Sequence, residues 1–169
     1  MGVQAATPKE PRHLRTAADE TSVAFDALDR QILQLLQTDG RIKLSELGRR
    51  VRLSPAAVTE RVRRLEAAGV ISGYGAHVVA ARLGYGIQAF IRVDPHGGYN
   101  LKHPRTLELI ERPEIIEVHH VVGEDCWILK VAVRDTVHLE EMLEEVSALG
   151  RTTTSIVLTS PVERKPLLP

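Results

Sequence analysis

Between Arg41 and Arg64 the chain carries Arg41, Lys43, Arg49, Arg50, Arg52, Arg61, Arg63 and Arg64, opposed only by Glu46 and Glu60. Guanidinium groups at this density suit phosphate oxygens, and a forked guanidinium also matches the O6/N7 edge of guanine. Other chemistry is poorly provided for. Cys126 is the only cysteine, which permits neither an intrachain disulfide nor a cysteine zinc cage. It also has no base beside it in sequence to activate a thiolate. His119 and His120 are adjacent in an extended segment, so they point to opposite faces and cannot share a metal. His96 and His103 flank a Gly97-Gly98 loop without cysteines or acids near enough for a ligand set. Leu83-Gly84-Tyr85-Gly86 lacks the following helix that a phosphate-cradling loop requires. No metal or cofactor is expected.

Composition narrows the class further. The formal net charge is zero over 169 residues and the apolar content is ordinary for a folded protein. No apolar run approaches the roughly 18 residues that a membrane span needs. The N-terminus lacks the apolar core of a secretory signal, so a cytoplasmic location is expected. Past Gly73 the acids slightly outnumber the bases, with Glu140, Glu141, Glu144 and Glu145 on one solvated helix face. The cations are therefore segregated, and their field reaches phosphates within a Debye length of roughly 10 Å.

The elements that must position these arginines are short. Residues 1–25 are polar and aperiodic, with Pro8 and Pro11, and read as a mobile tail. Asp26 or Asp29 starts a first helix whose apolar stripe is Leu28, Ile32, Leu35 and Leu36, and Gly40 stops it. Ser45 reads as the cap of a second helix, with Leu44, Leu47 and Val51 facing inward and Leu53 filling the joint. Ser54-Pro55 is a strong start signal for the third: a serine cap followed by proline at the first helical position. Val58, Val62 and Leu65 form its buried stripe, and Gly69 ends it. At ~100° per residue, Ala56, Ala57, Thr59, Glu60, Arg63 and Arg64 then point outward. Small residues at the N-terminal end allow close approach to a major groove, and the arginines further along reach base edges or phosphates. Ser54 and the first free N–H groups of the helix favour phosphate. Arg49, Arg50 and Arg52 flank the helix, better placed for backbone contacts. Glu60 accepts from a cytosine amino group or, more simply, pairs with a nearby arginine.

Val70 to Val79 reads as an extended exit strand, and residues 73–86 are taken as exit strand and linker beyond the head. The remainder alternates: strand Ile87–Val93, helix Pro104–Ile110, strand Ile115–Val122, a turn at Gly123-Glu124-Asp125, strand Trp127–Val133, helix Val137–Leu149, a stop at Gly150, and strand Thr152–Leu158. That β-α-β-β-α-β order implies a four-stranded antiparallel sheet with two helices on one face. IQAFIRV and WILKVAV place bulky residues on both faces, which leaves one face for a second subunit.

The segment DRQILQLLQTDGRIKLSELGRRVRLSPAAVTERVRRLEAAGVISGY resembles the N-terminal half of the Lrp/AsnC (feast/famine) transcription regulators. VVGEDCWILKVAV and GRTTTSIVLTSPV resemble their C-terminal regulatory domain. The likeness runs from about Ala27 to Val162. It implies an α+β chain: an N-terminal (winged) helix-turn-helix domain over residues 26–72, a ferredoxin-like domain over residues 87–162, and a tail over residues 163–169. It further implies dimers formed sheet to sheet, often gathered into octamers, with the exit strand joining two chains. Small effectors, usually amino acids, bind such proteins near the turn that here is Gly123, Glu124, Asp125 and Cys126. Thr152, Thr153, Thr154 and Ser155 would lie close to the same cleft. Members that respond to amino acids often carry aspartate where this chain has Cys126; Asp125 stands one position earlier, which in a strand reverses the side chain.

The expected function is thus an oligomeric, effector-modulated regulator that binds double-stranded DNA, with no catalytic residues. The alternative is a small-molecule-binding or enzymatic α+β domain carrying a helical docking module, since ferredoxin-like sheets host many chemistries. Against it stands the lack of any paired acid, nucleophile-base or cofactor signature in the strands.

Overall fold

A computed structural model describes residues 24–97, 102–123 and 126–167. The expected N-terminal tail lies almost wholly outside the described residues, as do Glu124 and Asp125 of the strand turn. The chain forms two compact units, one running to Gly75 and joined by the C-terminal residues from Pro166, the other Ala76–Lys165.

The first unit consists of α1 (Ala27–Thr38), α2 (Leu44–Val51) and α3 (Pro55–Ala67). Both expected starts of α1 contribute. Asp26 is the cap and accepts from the Asp29 N–H at 2.8 Å, while the Asp29 carboxylate accepts from the Asp26 N–H at 3.3 Å, a reciprocal capping box. Ile32, Leu33, Leu47, Val51, Val58, Val62 and Leu65 make the core, with Leu28, Leu35, Leu36 and Leu53 packed around it. Two expectations for α2 are corrected. The helix begins after Lys43, whose carbonyl accepts from the Leu47 N–H at 2.8 Å, so Ser45 lies inside the first turn and no side chain caps the helix. Leu44 is 39% exposed, because it sits one turn before Leu47, beyond the edge of so small a core.

The joint between α2 and α3 is tight. The Leu53 N–H donates to the Gly48 carbonyl at 2.8 Å, and Arg52 takes the left-handed conformation at φ 57° that this closing turn requires. A Cβ on Gly48 would stand 2.8 Å from the Leu53 carbonyl oxygen, so α3 starts this close to α2 only because position 48 has no side chain. Ser54 then caps α3 as expected, accepting from the Ala57 N–H at 3.2 Å, with Pro55 at the first helical position. After α3, Val70 and Ile71 pack on the core, but residues 72–79 form no strand. An exit strand that joins two chains takes its ladder partner from the second chain, and no other described segment of this one pairs with residues 72–79.

In the second unit a 3-10 turn (Ala80–Leu83) leads to β1 (Ile87–Pro95), α4 (Pro104–Ile110), β2 (Ile115–His120), β3 (Trp127–Val133), α5 (Thr136–Ser147) and β4 (Gly150–Ile156). The strands are all antiparallel, in the order β2-β3-β1-β4, which is the expected ferredoxin-like arrangement. Four strand ends differ from the sequence reading: β1 runs on to Pro95 and β4 stops at Ile156, and the start of β4 and the end of β2 also move. Gly150 opens β4 rather than merely stopping α5, opposite Pro95 and too near the Asp94 carbonyl for any side chain. β2 ends at His120, two residues early, and is bulged between Ile115 and Glu117.

Alternation sorts the sheet. Ala89, Ile91, Val93, Leu129, Val131 and Val133 join Leu139, Met142 and Val146 of α5 in the core. The opposite face is more polar than expected: Phe90 and Ile128 lie among Arg92, Glu117, His119, Lys130, Thr153 and Ser155.

Replacing Gly48 with alanine is expected to lower the unfolding free energy by about 1–3 kcal/mol, the usual cost of forcing extra volume into a packed joint. Denaturant unfolding checks this; an unchanged midpoint would mean that the Leu53 carbonyl gives way freely.

Candidate nucleic-acid interface

The third helix is buried on one side only. Val58 and Leu65 are 0% exposed and Val62 is 5% exposed, while Ala56, Glu60, Arg63 and Arg64 are open to solvent and Ala57 and Thr59 are half-buried. Thr59 Oγ1 donates to the Pro55 carbonyl at 2.7 Å, which occupies its proton and leaves the oxygen able to accept. Ser54 spends its acceptor on the cap, so its hydroxyl proton is the part left for a phosphate.

Charge is distributed less evenly than the sequence suggests. Glu46 binds both flanking arginines, Arg49 through Nε at 2.8 Å and Nη2 at 2.7 Å and Arg50 through Nε at 2.8 Å. The Arg49 hydrogen bonds, with help from Arg50, hold the Glu46 carboxyl down at about 2. On the other side, Arg61 Nη1 reaches Asp26 Oδ2 at 2.6 Å and Asp29 Oδ1 at 2.8 Å, and Arg64 Nη2 reaches Asp29 Oδ2 at 2.6 Å. The Asp26 carboxyl is held below its ordinary value, first by the Asp29 N–H and then by Arg61. Glu60, expected to pair with an arginine, forms no ion pair among the described residues; Glu46 and Asp29 have taken that role. Arg41, Lys43, Arg52 and Arg63 are the cations of the run that keep no acid partner among the described residues.

Arg41 and Lys43 are therefore surface the sequence reading counted but did not assign. Their signal was the basic Gly40-Arg41-Ile42-Lys43 turn. Tyr74, also unassigned, lies beside that turn: its ring is near Gly40 and its hydroxyl donates to Glu66 Oε1 at 2.9 Å. Partial burial, with Glu66 nearby, pushes the phenol up to about 12.

The described residues assigned to an effector lie on two strand systems of the sheet, whose register puts Trp127 opposite Val93 and Val93 opposite Thr152. Cys126 is half-buried and its carbonyl accepts from the Val121 N–H at 2.9 Å, closing the hairpin that contains Gly123. Thr152 and Thr154 stand opposite Val93 and Ile91 on the helix side, whereas Thr153 and Ser155 stand opposite Arg92 and Phe90 on the other. Strand β1 also lies between the β2-β3 hairpin and β4. The histidines keep their separate faces: His120 stacks on Trp127 with centroids 4.4 Å apart, and His119 Nε2 meets Glu117 Oε2 at 3.1 Å. A buried pair escaped the sequence reading, His138 Nε2 with Glu114 Oε1 at 3.2 Å, where α5 begins. Among the described residues no helix is long and apolar enough to cross a membrane.

Residues 25–66 match the family model of the AsnC-type helix-turn-helix domain, and residues 88–167 match that of the Lrp/AsnC ligand binding domain. The HTH-type transcriptional regulator LrpA of Mycobacterium tuberculosis is 37% identical over 140 residues, which cover 81% of this chain and 92% of the relative. YezC of Bacillus subtilis, named an uncharacterized HTH-type transcriptional regulator, is 36% identical over 136 residues, covering 80% of this chain and 95% of that one. Among solved structures, the feast or famine regulatory protein of M. tuberculosis complexed with L-methionine superposes with a TM-score of 0.78 at 35% identity, covering 86% of this chain and 100% of the other.

Two substitutions separate the roles of the cations. Arg63→Ala is expected to weaken binding to duplex DNA and to reduce the log-affinity against log-salt slope by about one; an unchanged slope would remove Arg63 from the interface. Arg52→Gly relieves a left-handed side-chain penalty of roughly 1–2 kcal/mol, so thermal stability rises while DNA affinity falls. Loss of stability would show that the Arg52 side chain supports the turn.

Proposed function

Because the chain belongs to the Lrp/AsnC family of transcription regulators, we propose that it is an oligomeric, sequence-specific DNA-binding regulator whose reading element is α3. The observation that carries this is the one-sided burial of α3: a capped helix with small residues at its entry and, on the open side, Arg63 with no acid partner among the described residues. Ala56, Ala57, Thr59 and Glu60 are the candidates for base edges, and Arg41, Lys43, Arg52 and Ser54 for the phosphates beside them. Arg49 and Arg50 can join the phosphate contacts only by sharing Glu46, which shortens their reach. Residues 26–72 form the DNA-binding domain, residues 73–86 the linker, and residues 87–162 the domain that binds effector and partner.

A dimer places two such helices on one side of the duplex, so half-sites fall about one helical turn apart. The mixed face of the sheet, with Phe90 and Ile128 ringed by charges, is suited to a second copy that must be recognised as well as covered. An amino acid is the favoured effector class, supported by the L-methionine complex of the M. tuberculosis neighbour. With β1 between the turn and β4, an effector cleft using Gly123, Cys126 and Thr152–Ser155 is completed by another protomer. The relatives are named as regulators, not enzymes, and such a protein works in the cytoplasm beside its DNA.

DNase footprinting of the region upstream of its own gene, with and without L-methionine and other amino acids, tests both halves. Protected tracts repeating at about 10 base pairs on one face, and shifting in extent with an effector, are the expected result. No protection there or on selected genomic fragments would remove the DNA-binding reading. A footprint indifferent to every amino acid would remove the effector.

A further inference from the structure

Asp29, an acid in the first turn of α1, is 1% exposed and faces two arginines of α3. Its carboxylate accepts from Arg61 at one oxygen and from Arg64 at the other, and the second oxygen also takes the Asp26 N–H. Both arginines come from α3, three residues apart, so they lie on one side of that helix. Arg61 is anchored a second time by Asp26 at 2.6 Å, whereas Arg64 has only Asp29 among the described residues and is 53% exposed.

We propose that Asp29 is a positioning residue for DNA recognition, fixing the rotation of α3 about its axis through Arg61 and Arg64 and holding Arg64 away from phosphate. This rests on the reading that α3 enters the groove. Apolar packing alone defines that rotation weakly, because Val58, Val62 and Leu65 are compact side chains in non-directional contact. Charge-assisted hydrogen bonds are directional. Any roll of α3 unpairs a buried carboxylate, which is strongly unfavourable once a partner is lost. The same pairing determines what Arg64 does. Tied to Asp29, it is drawn toward α1; released, it is a long mobile cation on the helix that reads DNA. A released Arg64 adds a phosphate contact that carries no sequence information.

Asp29→Asn keeps the shape, one acceptor oxygen and the Arg61–Asp26 pair while removing the charge that holds Arg64. Binding is measured by fluorescence anisotropy across a salt series, on a duplex bearing the footprinted upstream tract and on a shuffled duplex. For D29N, affinity for the footprinted duplex is expected to fall about tenfold and affinity for the shuffled one to rise severalfold, with the salt slope steeper by about one. Adding Arg64→Gln to D29N is expected to restore the wild-type slope and shuffled-duplex affinity without restoring discrimination. Circular dichroism reports folding. If D29N is unfolded, Arg64→Gln alone, which spares the Asp29–Arg61 contact, is expected to lower discrimination, and Arg64→Lys to recover part of it. Equal weakening on both duplexes at unchanged slope, or discrimination unaffected by either substitution, overturns the proposal. A wild-type protein that binds neither duplex in a salt-dependent way instead overturns the reading of α3 itself, and the proposal with it.

Discussion

A helix that reads another molecule must be held by one side and from its ends, because the remaining side has to stay bare. In this chain that constraint governs the whole first unit. The buried stripe of α3 is thin, three branched side chains from Val58 to Leu65, so burial alone supplies little orientation. The rest comes from points where the choice of residue is narrow. Gly48 lets the start of α3 sit against α2, Arg52 turns the chain in a conformation usually left to glycine, and the Ser54 hydroxyl satisfies the Ala57 N–H of the first turn. Each acts within one turn of the helix entry, where an error in angle is magnified along its length.

The second unit solves a different problem. A four-stranded sheet with helices over one face has another face to dispose of. The protein neither makes that face fully polar nor fully apolar. Phe90 is 39% exposed, next to a Glu117–Lys130 pair at 3.0 Å. A surface of this kind gains from being covered but penalises a partner whose charges are out of register. The strand alternation that produces it also divides the threonine-rich β4, so that hydroxyls neighbouring in sequence serve different surroundings.

What could be read from the sequence was what local chemistry decides. The α3 cap, the span of α4 and the span of β3 follow from Ser54-Pro55, from Pro104 with Arg112-Pro113 beyond, and from a run of β-branched and aromatic residues. The misplaced cap of α2 is a local error of another kind, since a serine one position inside a helix looks the same in sequence as one at its threshold. The exit strand is of another kind again, since its ladder depends on a neighbour outside the described residues of one chain. The arginine partners failed because Asp29 and Arg64 are 35 residues apart and meet only after folding. Spacing identified which side of α3 faces out; it did not reveal that some of its arginines are already spoken for. At the threonine-rich strand, sequence likeness named four successive hydroxyls, and only the register of β1 with β4 shows which two share each face.

The internal neutralisation of Arg49, Arg50, Arg61 and Arg64 has a consequence for how the protein finds a site. Non-specific retention on a chromosome grows with the number of counterions a surface expels, and groups already satisfied by carboxylates expel few. A head that keeps four of the eight cations between Arg41 and Arg64 occupied leaves random sequence quickly, samples more of the genome in a given time, and depends on fit rather than on adhesion to stay where it stops.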